Sequence, residues 1–334
     1  MGRAGVRGQS LSEHHQTTSP SSTRAPGLLY GRTVAQAMLA WRARDFSSAT
    51  VPYIVRTNAG QWQRTPPQFR PPELPNWTLV TPFCLTNLAP FRQPGPPALD
   101  SERYAQDVNQ VKELGALHSR TRTPEQTEIA RFWADFSYTV TPVGHWNQIA
   151  QDISRRNKFT LAQNARIFAL LNLAMADAAI VAWEAKYTHN LWRPVTAIRQ
   201  ADRDGNPATT ADPDWQPLLT TPPFPEYVSG HSIFSATAAE VIAAVLGTDE
   251  VTFTATSDTL AGITRTYHSL RVTAEEIGMS RIYGGIHFLS GDLDGLAAGR
   301  VVGSYVAENY LLPVKKSQLA LGAADRARDG KEAR

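Results

Sequence analysis

Eleven of the chain's 23 prolines fall between residues 51 and 100, including Pro66-Pro67, Pro71-Pro72 and Pro96-Pro97. Proline lacks the backbone donor and clashes with the preceding turn, so no long helix fits there. The same stretch carries Tyr53, Trp62, Phe69, Trp77, Phe83 and Phe91, too much aromatic surface for a free linker. The expectation is an extended segment laid over a helical body, and loops of that length are often functional.

From about residue 101 the pattern turns helical. Thr123-Pro124-Glu125-Gln126 joins an N-cap, a proline at the first helical position and a capping-box glutamine. Thr160 to Gln163 and Thr273 to Glu276 repeat the capping signature before apolar-periodic runs. Helices are expected near 102–117, 124–137, 143–155, 160–187, 231–246, 273–289 and 294–311. A further helix over 31–46 follows from Val34, Met38, Leu39 and Trp41, and 251–270 reads as a short strand pair or a loop. The class is all-α with a helix-bundle core. The expected organisation is a disordered leader over 1–29, one helical domain over 30–313 and a loose charged tail over 314–334. Within the domain, 51–100 is the Pro-rich covering segment and 160–312 the catalytic bundle.

Composition removes several functions. The net charge is only +3 and no basic stretch is interleaved with aromatics, which argues against nucleic acid as a partner. Cys84 is the sole cysteine, so an internal disulfide and a cysteine zinc site are excluded, and it reads as a small buried hydrophobe. The first thirty residues lack the apolar region of a signal peptide. The most apolar run, Ile167 to Trp183, is interrupted by Asn172 and Asp177 and reads as a buried core helix, not a membrane span.

Three short segments carry the chemistry: Lys186 to Arg193-Pro194, Ser229-Gly230-His231, and Ser280-Arg281 followed by His287. Together they offer an ammonium, two guanidiniums, a hydroxyl, a glycine amide and two imidazoles. Guanidiniums and an ammonium bind anion oxygens with charge-assisted bonds, and a glycine-preceded helix start supplies free amides. One imidazole can bond the central atom of the anion while the other moves protons. Taken singly, each segment has an ordinary structural reading: cations at a helix C-terminus, a serine N-cap, a buried histidine. Their co-occurrence points to a site for a tetrahedral oxyanion. His14, His15 and His118 are assigned no function; His145 and His189 can approach the pocket, but a structural or solvent-facing role is the preferred reading for both and for His268. Asp177 and Glu184 share a helix face and are expected to pair with the site's cations.

The ordered set resembles the signature of the vanadium-dependent haloperoxidases, within the superfamily that includes type 2 phosphatidic acid phosphatases and bacterial acid phosphatases. The family pattern is Lys, six residues, Arg-Pro; Ser-Gly-His; then Ser-Arg, five residues, His, and all three spacings are met here. The resemblance runs from about 31 to 312 and includes Gly60-Gln61-Trp62 and Gly144-His145-Trp146-Asn147. It implies vanadate as cofactor, with no haem and no nucleotide, and peroxide, halide and a small organic acceptor as partners. By motif, Lys186, Arg193, Ser229, Gly230 and Arg281 hold the vanadate oxygens, His287 is the metal ligand and His231 the acid-base group. Lys186 polarises peroxide, and halide is oxidised to a hypohalous acid equivalent. Trp183 and Phe224 match the positions of aromatics beside the halide. The rival readings are an acid phosphatase using His287 as nucleophile and an inactive relic. A homo-oligomer is left open.

The chain departs from that pattern at three places. Val228 stands where proline is common, and Gly291 stands four residues after His287, where an aspartate is typical. Asp292, one position later, is expected to orient His287 instead. About thirty unrelated-looking residues stand in place of the helices that family members carry ahead of 31–46, so an N-terminally truncated or misassigned chain is expected, one in which an export signal can have been lost with the missing segment.

Overall fold

The structure is a computed structural model that describes residues 21–312. Contacts divide it between Ser48 and Ala49. The first unit holds helix α1, Ser21–Arg42, whose last turn is closed by an Arg42–Asp45 ion pair. Residues 21–29, expected to be disordered, are therefore the first turns of a helix that starts ten positions before the expected 31. The rest of the expected leader, and the tail from 314, lie outside the described residues.

The second unit is a bundle of α2 (Glu102–Leu114), α3 (Pro124–Phe132), α4 (Thr141–Arg156), α5 (Leu161–His189), α6 (Pro194–Arg199), α7 (Gly230–Leu246), α8 (Leu270–Tyr283) and α9 (Leu289–Asn309). An antiparallel pair, β1 (Glu250–Thr256) and β2 (Thr264–Ser269), links α7 to α8. The capping boxes at Thr123/Gln126 and Thr160/Gln163 form as expected. The one at Thr273 does not, because Ser269 caps α8 four residues earlier through the Val272 amide. Helix α5 is long and apolar enough to cross a membrane by length and composition, but in the bundle it is largely buried and packs on α7 and α9.

Helices α7 and α9 form the closest pair. Gly295, Gly299 and Gly303 recur every fourth residue along α9, leaving a narrow stripe of bare backbone. A Cβ on Gly299 would lie 2.4 Å from the Ile233 carbonyl oxygen. Only glycine allows backbones this close.

The Pro-rich segment lies over the bundle, as expected. It has only two short 3-10 turns, Pro75–Leu79 and Ala89–Phe91. Its backbone bonds go to the body beneath: the Trp62 amide to the Asn190 carbonyl (2.8 Å), the Trp192 amide to Gly60 (2.9 Å) and the Glu73 amide to Pro223 (2.9 Å). The Glu73 carbonyl accepts from the Trp183 indole at 3.3 Å and the Tyr187 phenol at 2.6 Å. The fully buried Asp177 carboxylate on α5 accepts from the amides of Phe83, Cys84 and Leu85 at 2.6, 2.7 and 2.9 Å. Glu184 pairs with Arg92 at 2.8 Å. Both acids thus fasten the cover and do not pair with the site's cations, contrary to the sequence expectation.

A buried carboxylate that holds three amides leaves them all unsatisfied when removed. Asp177→Ala is expected to cost on the order of 3–5 kcal/mol in urea unfolding. Amide exchange at residues 83–85 should accelerate more than in α7 or α9.

Candidate active site

The three sequence segments converge at one end of the bundle, each placed by a different kind of backbone break. Helix α5 ends at His189 because Asn190 adopts a left-handed conformation, φ 52°. Arg193 follows in extended geometry as the N-cap of α6, as a residue before proline must. Ser229 caps α7 from an extended conformation and Gly230 opens the helix. Arg281 lies in the last turn of α8, which stops at Gly284-Gly285, with Gly285 at φ +76°. His287 therefore sits in the turn before α9, not on a helix shared with Arg281 as the spacing had suggested.

Lys186, Arg193, Ser229 and Arg281 are fully buried, and His287 is 2% exposed. Few of their donors are idle. The Lys186 ammonium donates to the carbonyls of Pro225 (3.2 Å), Glu226 (3.0 Å) and Val228 (2.5 Å), pinning the loop ahead of α7. Arg193 donates through Nε to Phe224 and through Nη1 to Ile286, both at 2.7 Å. Arg281 donates to the carbonyls of Trp133 at 2.7 Å and of Ala130 and Ala134 at 3.3 Å.

Each guanidinium also donates to an imidazole: Arg193 Nη1 to His287 Nε2 at 3.0 Å, and Arg281 Nη1 to His231 Nε2 at 3.2 Å. Both rings therefore accept at Nε2. Burial, followed by the surrounding cations, pushes both histidines well below their ordinary range, so they are neutral at pH 7. Burial also lowers Lys186 well below its usual value, with Arg193 adding to the effect and Glu226 opposing it. Arg193 falls to about 9 and Arg281 to about 10, both chiefly through burial. They remain charged at neutral pH.

Two acids missing from the expected pairing do the balancing. Glu226 accepts from His287 Nδ1 at 2.8 Å and from the Phe288 amide at 3.0 Å. Asp292, expected to orient His287, instead accepts from the Ser232 hydroxyl at 2.5 Å, and Ser232 in turn lies 2.7 Å from the Ser229 hydroxyl. It thus acts on the serine side of the site. A further pair, Asp135 and His145 (Nδ1 3.2 Å from each carboxylate oxygen), sits where Asp135 supports the charge of Arg281. Glu226 left one signal in the sequence: an acid in the otherwise apolar run Pro222–Val228, directly before Ser229. His189 stands against Tyr227, ring centroids 5.1 Å apart, and against Gly95.

Trp183 and Phe224 form an aromatic wall, ring centroids 5.2 Å apart. The Lys186 ammonium lies 5.0 Å from the Phe224 centroid and the Arg193 guanidinium carbon 4.8 Å from it. This wall keeps water from the cations on one side and strengthens their fields.

The fit to a tetrahedral oxyanion rests on the unpartnered groups. Arg193 Nη2 is buried with no hydrogen-bond partner, and so is Glu226 Oε2. An anion seated between the two guanidinium–imidazole pairs would accept hydrogen bonds from both guanidiniums, engage the idle Nη2 and free both Nε2 atoms. The donor set suits vanadate: cationic donors for its oxygens and a neutral imidazole nitrogen for the metal.

Comparison with known proteins agrees with the geometry. The chain superimposes on a structure titled as the first bacterial vanadium-dependent iodoperoxidase, with a TM-score of 0.75 and 32% identity, covering 86% of this chain and 70% of that one. The chain belongs to the vanadium-dependent haloperoxidase family. Residues 166–315 match the family description "VCPO second helical-bundle domain". Vanadium chloroperoxidase of Curvularia inaequalis is 34% identical over 148 residues, 38% of this chain and 24% of that protein, so the chain matches about a quarter of that relative's length. A holo bacterial vanadium-dependent chloroperoxidase shares the fold at 17% identity and TM-score 0.66.

Burial raises the Asp292 carboxyl from 3.8 to about 7. Its folded form binds the proton more tightly than its unfolded form, so its contribution to stability is full below about pH 4 and is lost as pH rises through about 7. Relative to Asp292→Asn, the metal-free wild type should lose on the order of 3–4 kcal/mol between those limits. Urea unfolding of both proteins across that range measures it.

Proposed function

We propose that this chain is a vanadate-dependent haloperoxidase that uses peroxide to oxidise halide to a hypohalous acid equivalent, passed to a small organic acceptor. The observation that carries this reading is the paired arrangement of two buried guanidiniums, each donating to a neutral imidazole Nε2, beside an aromatic wall. Vanadate, when bound, supplies a Lewis-acid centre that activates peroxide without changing its own oxidation state.

The chain's residues divide the remaining work. Arg193 and Arg281 hold the anion oxygens, joined by the Ser229 hydroxyl and the Gly230 amide at the start of α7. Lys186 exchanges one of its three carbonyl partners for an anion or peroxide oxygen, and its remaining bonds keep it in place. His287 presents Nε2 to the metal. His231, neutral at pH 7, takes the proton released by peroxide at Nε2 and returns it to the product. Trp183 and Phe224 give halide a water-poor approach beside two cations. The same donors would hold phosphate with His287 as nucleophile, but a water-excluding aromatic wall serves a halide better than it serves hydrolysis.

A paired assay separates the readings: peroxide-dependent bromination of a dione reporter as orthovanadate is titrated in, and p-nitrophenyl phosphate hydrolysis without it. Bromination should saturate with vanadate and vanish in His287→Ala. Phosphate ester turnover that vanadate inhibits, without bromination, would assign the pocket to a phosphatase, and silence in both from a folded protein would make it a relic. His231→Ala should lower bromination kcat by about 10²–10⁴-fold while vanadate still binds.

A further inference from the structure

We infer that Glu226 is the positioning residue that fixes the tautomer and aim of His287, and that position 291 is glycine because the Glu226 carboxylate occupies the space a side chain there would fill. The consequence for vanadate rests on the function proposed above; the hydrogen bonding does not. His287 Nδ1 lies 2.8 Å from Glu226 Oε1, and the Phe288 amide donates to the same oxygen at 3.0 Å. A carboxylate at Nδ1 holds the proton there and leaves the Nε2 lone pair to accept, as it does here from Arg193 Nη1. It also makes Nε2 a more basic donor toward a metal.

The carboxylate arrives from the loop before α7, and that loop is held firmly. Lys186 donates to its carbonyls, and the Glu226 amide donates to the Leu191 carbonyl at 2.9 Å. Opposite stands Gly291 in the first turn of α9, four residues after His287. A Cβ built there would lie 2.5 Å from Glu226 Oε1 and 2.9 Å from Oε2. A side chain at 291 would have to push the carboxylate out of this position. Conversely, a short acid at 291 would project into the same space if residue 226 were cut back to alanine. The acid that the sequence led one to expect on the helix is supplied here from the facing loop, and the helix gives up its side chain to admit it. Asp292 is not available for the task, because Ser232 engages it on the other side of the site.

The test uses three proteins, wild type, Glu226→Ala and the double variant Glu226→Ala/Gly291→Asp, each with two readouts. Nitrogen-15 NMR of histidine-labelled, metal-free protein reports the tautomer; calorimetric titration with orthovanadate reports affinity. Wild-type His287 should be the Nδ1–H tautomer. Glu226→Ala should lose that signature and bind vanadate about 10–100-fold more weakly. The double variant should regain the tautomer and at least tenfold in affinity. Retention of both properties in Glu226→Ala, or recovery of neither in the folded double variant, overturns the inference. Should Glu226→Ala not fold, Glu226→Gln replaces it: the tautomer is expected to persist with weakened vanadate binding, and undiminished binding overturns the role of the charge. A wild type that shows the tautomer but binds no vanadate would instead refute the proposed function and leave the positioning role standing.

Discussion

Three cationic side chains of one small region, Lys186, Arg193 and Arg281, are all withdrawn from water, and the rest of the site is arranged to make that tolerable. Burying one unpaired cation costs several kcal/mol, and three of like sign repel one another besides. Backbone carbonyls carry most of the compensation: three on Lys186, two on Arg193 and three on Arg281. The loops that supply them must therefore be rigid and closely placed. This explains why the chain breaks its helices at Asn190 and Gly285 and runs an extended segment through Pro222–Val228. Under the proposed function, a bound oxyanion would complete the balance by bringing negative charge to these buried cations.

The carboxylates follow the same logic, one to each part of the pocket. Glu226 stands behind His287, Asp292 behind Ser232 and Ser229, and Asp135 beside Arg281. Burial raises Glu226 from 4.5 to about 7, despite the opposing pull of Arg193 and Lys186. Glu226 and Asp292 fully charged would offset much of the cations' charge, so the raised proton affinity of these two acids suits an anion-binding pocket. The Pro-rich cover adds the outer wall. Its Glu73 carbonyl ties down Trp183 and Tyr187, so the aromatic face beside the cations depends on a segment more than a hundred residues away in sequence.

The parts of this architecture that are local in sequence were legible there. Two capping boxes and the helices they start appear as read, and 251–270 takes the strand-pair form of its two readings, because caps, breaks and periods are set by neighbours a few residues apart. The failures that matter most for the site are long-range. The partner of His287 was sought next to it, at Asp292, while the acid in contact comes from 61 positions upstream. Asp177 and Glu184 share one helix face, which makes the site's cations a natural expectation for them, yet the cover segment claims both. Thr273 carried a capping signature, but Ser269 captured the start of α8 because the incoming β2 strand delivers it to that position. His287 was placed on a helix that Gly285 in fact ends. The short α6 carried too little pattern to be seen at all.

The central claim is that the buried cations and His287 enclose one tetrahedral oxyanion with the metal at the imidazole. Anomalous diffraction from crystals soaked in orthovanadate tests it most directly. The account predicts a single vanadium peak within bonding distance of His287 Nε2, with oxygens on Arg193, Arg281 and the Ser229–Gly230 turn. A well-soaked crystal with no peak there, or with vanadium bound elsewhere while Arg193 and Arg281 keep their bonds to the two imidazoles, would contradict it.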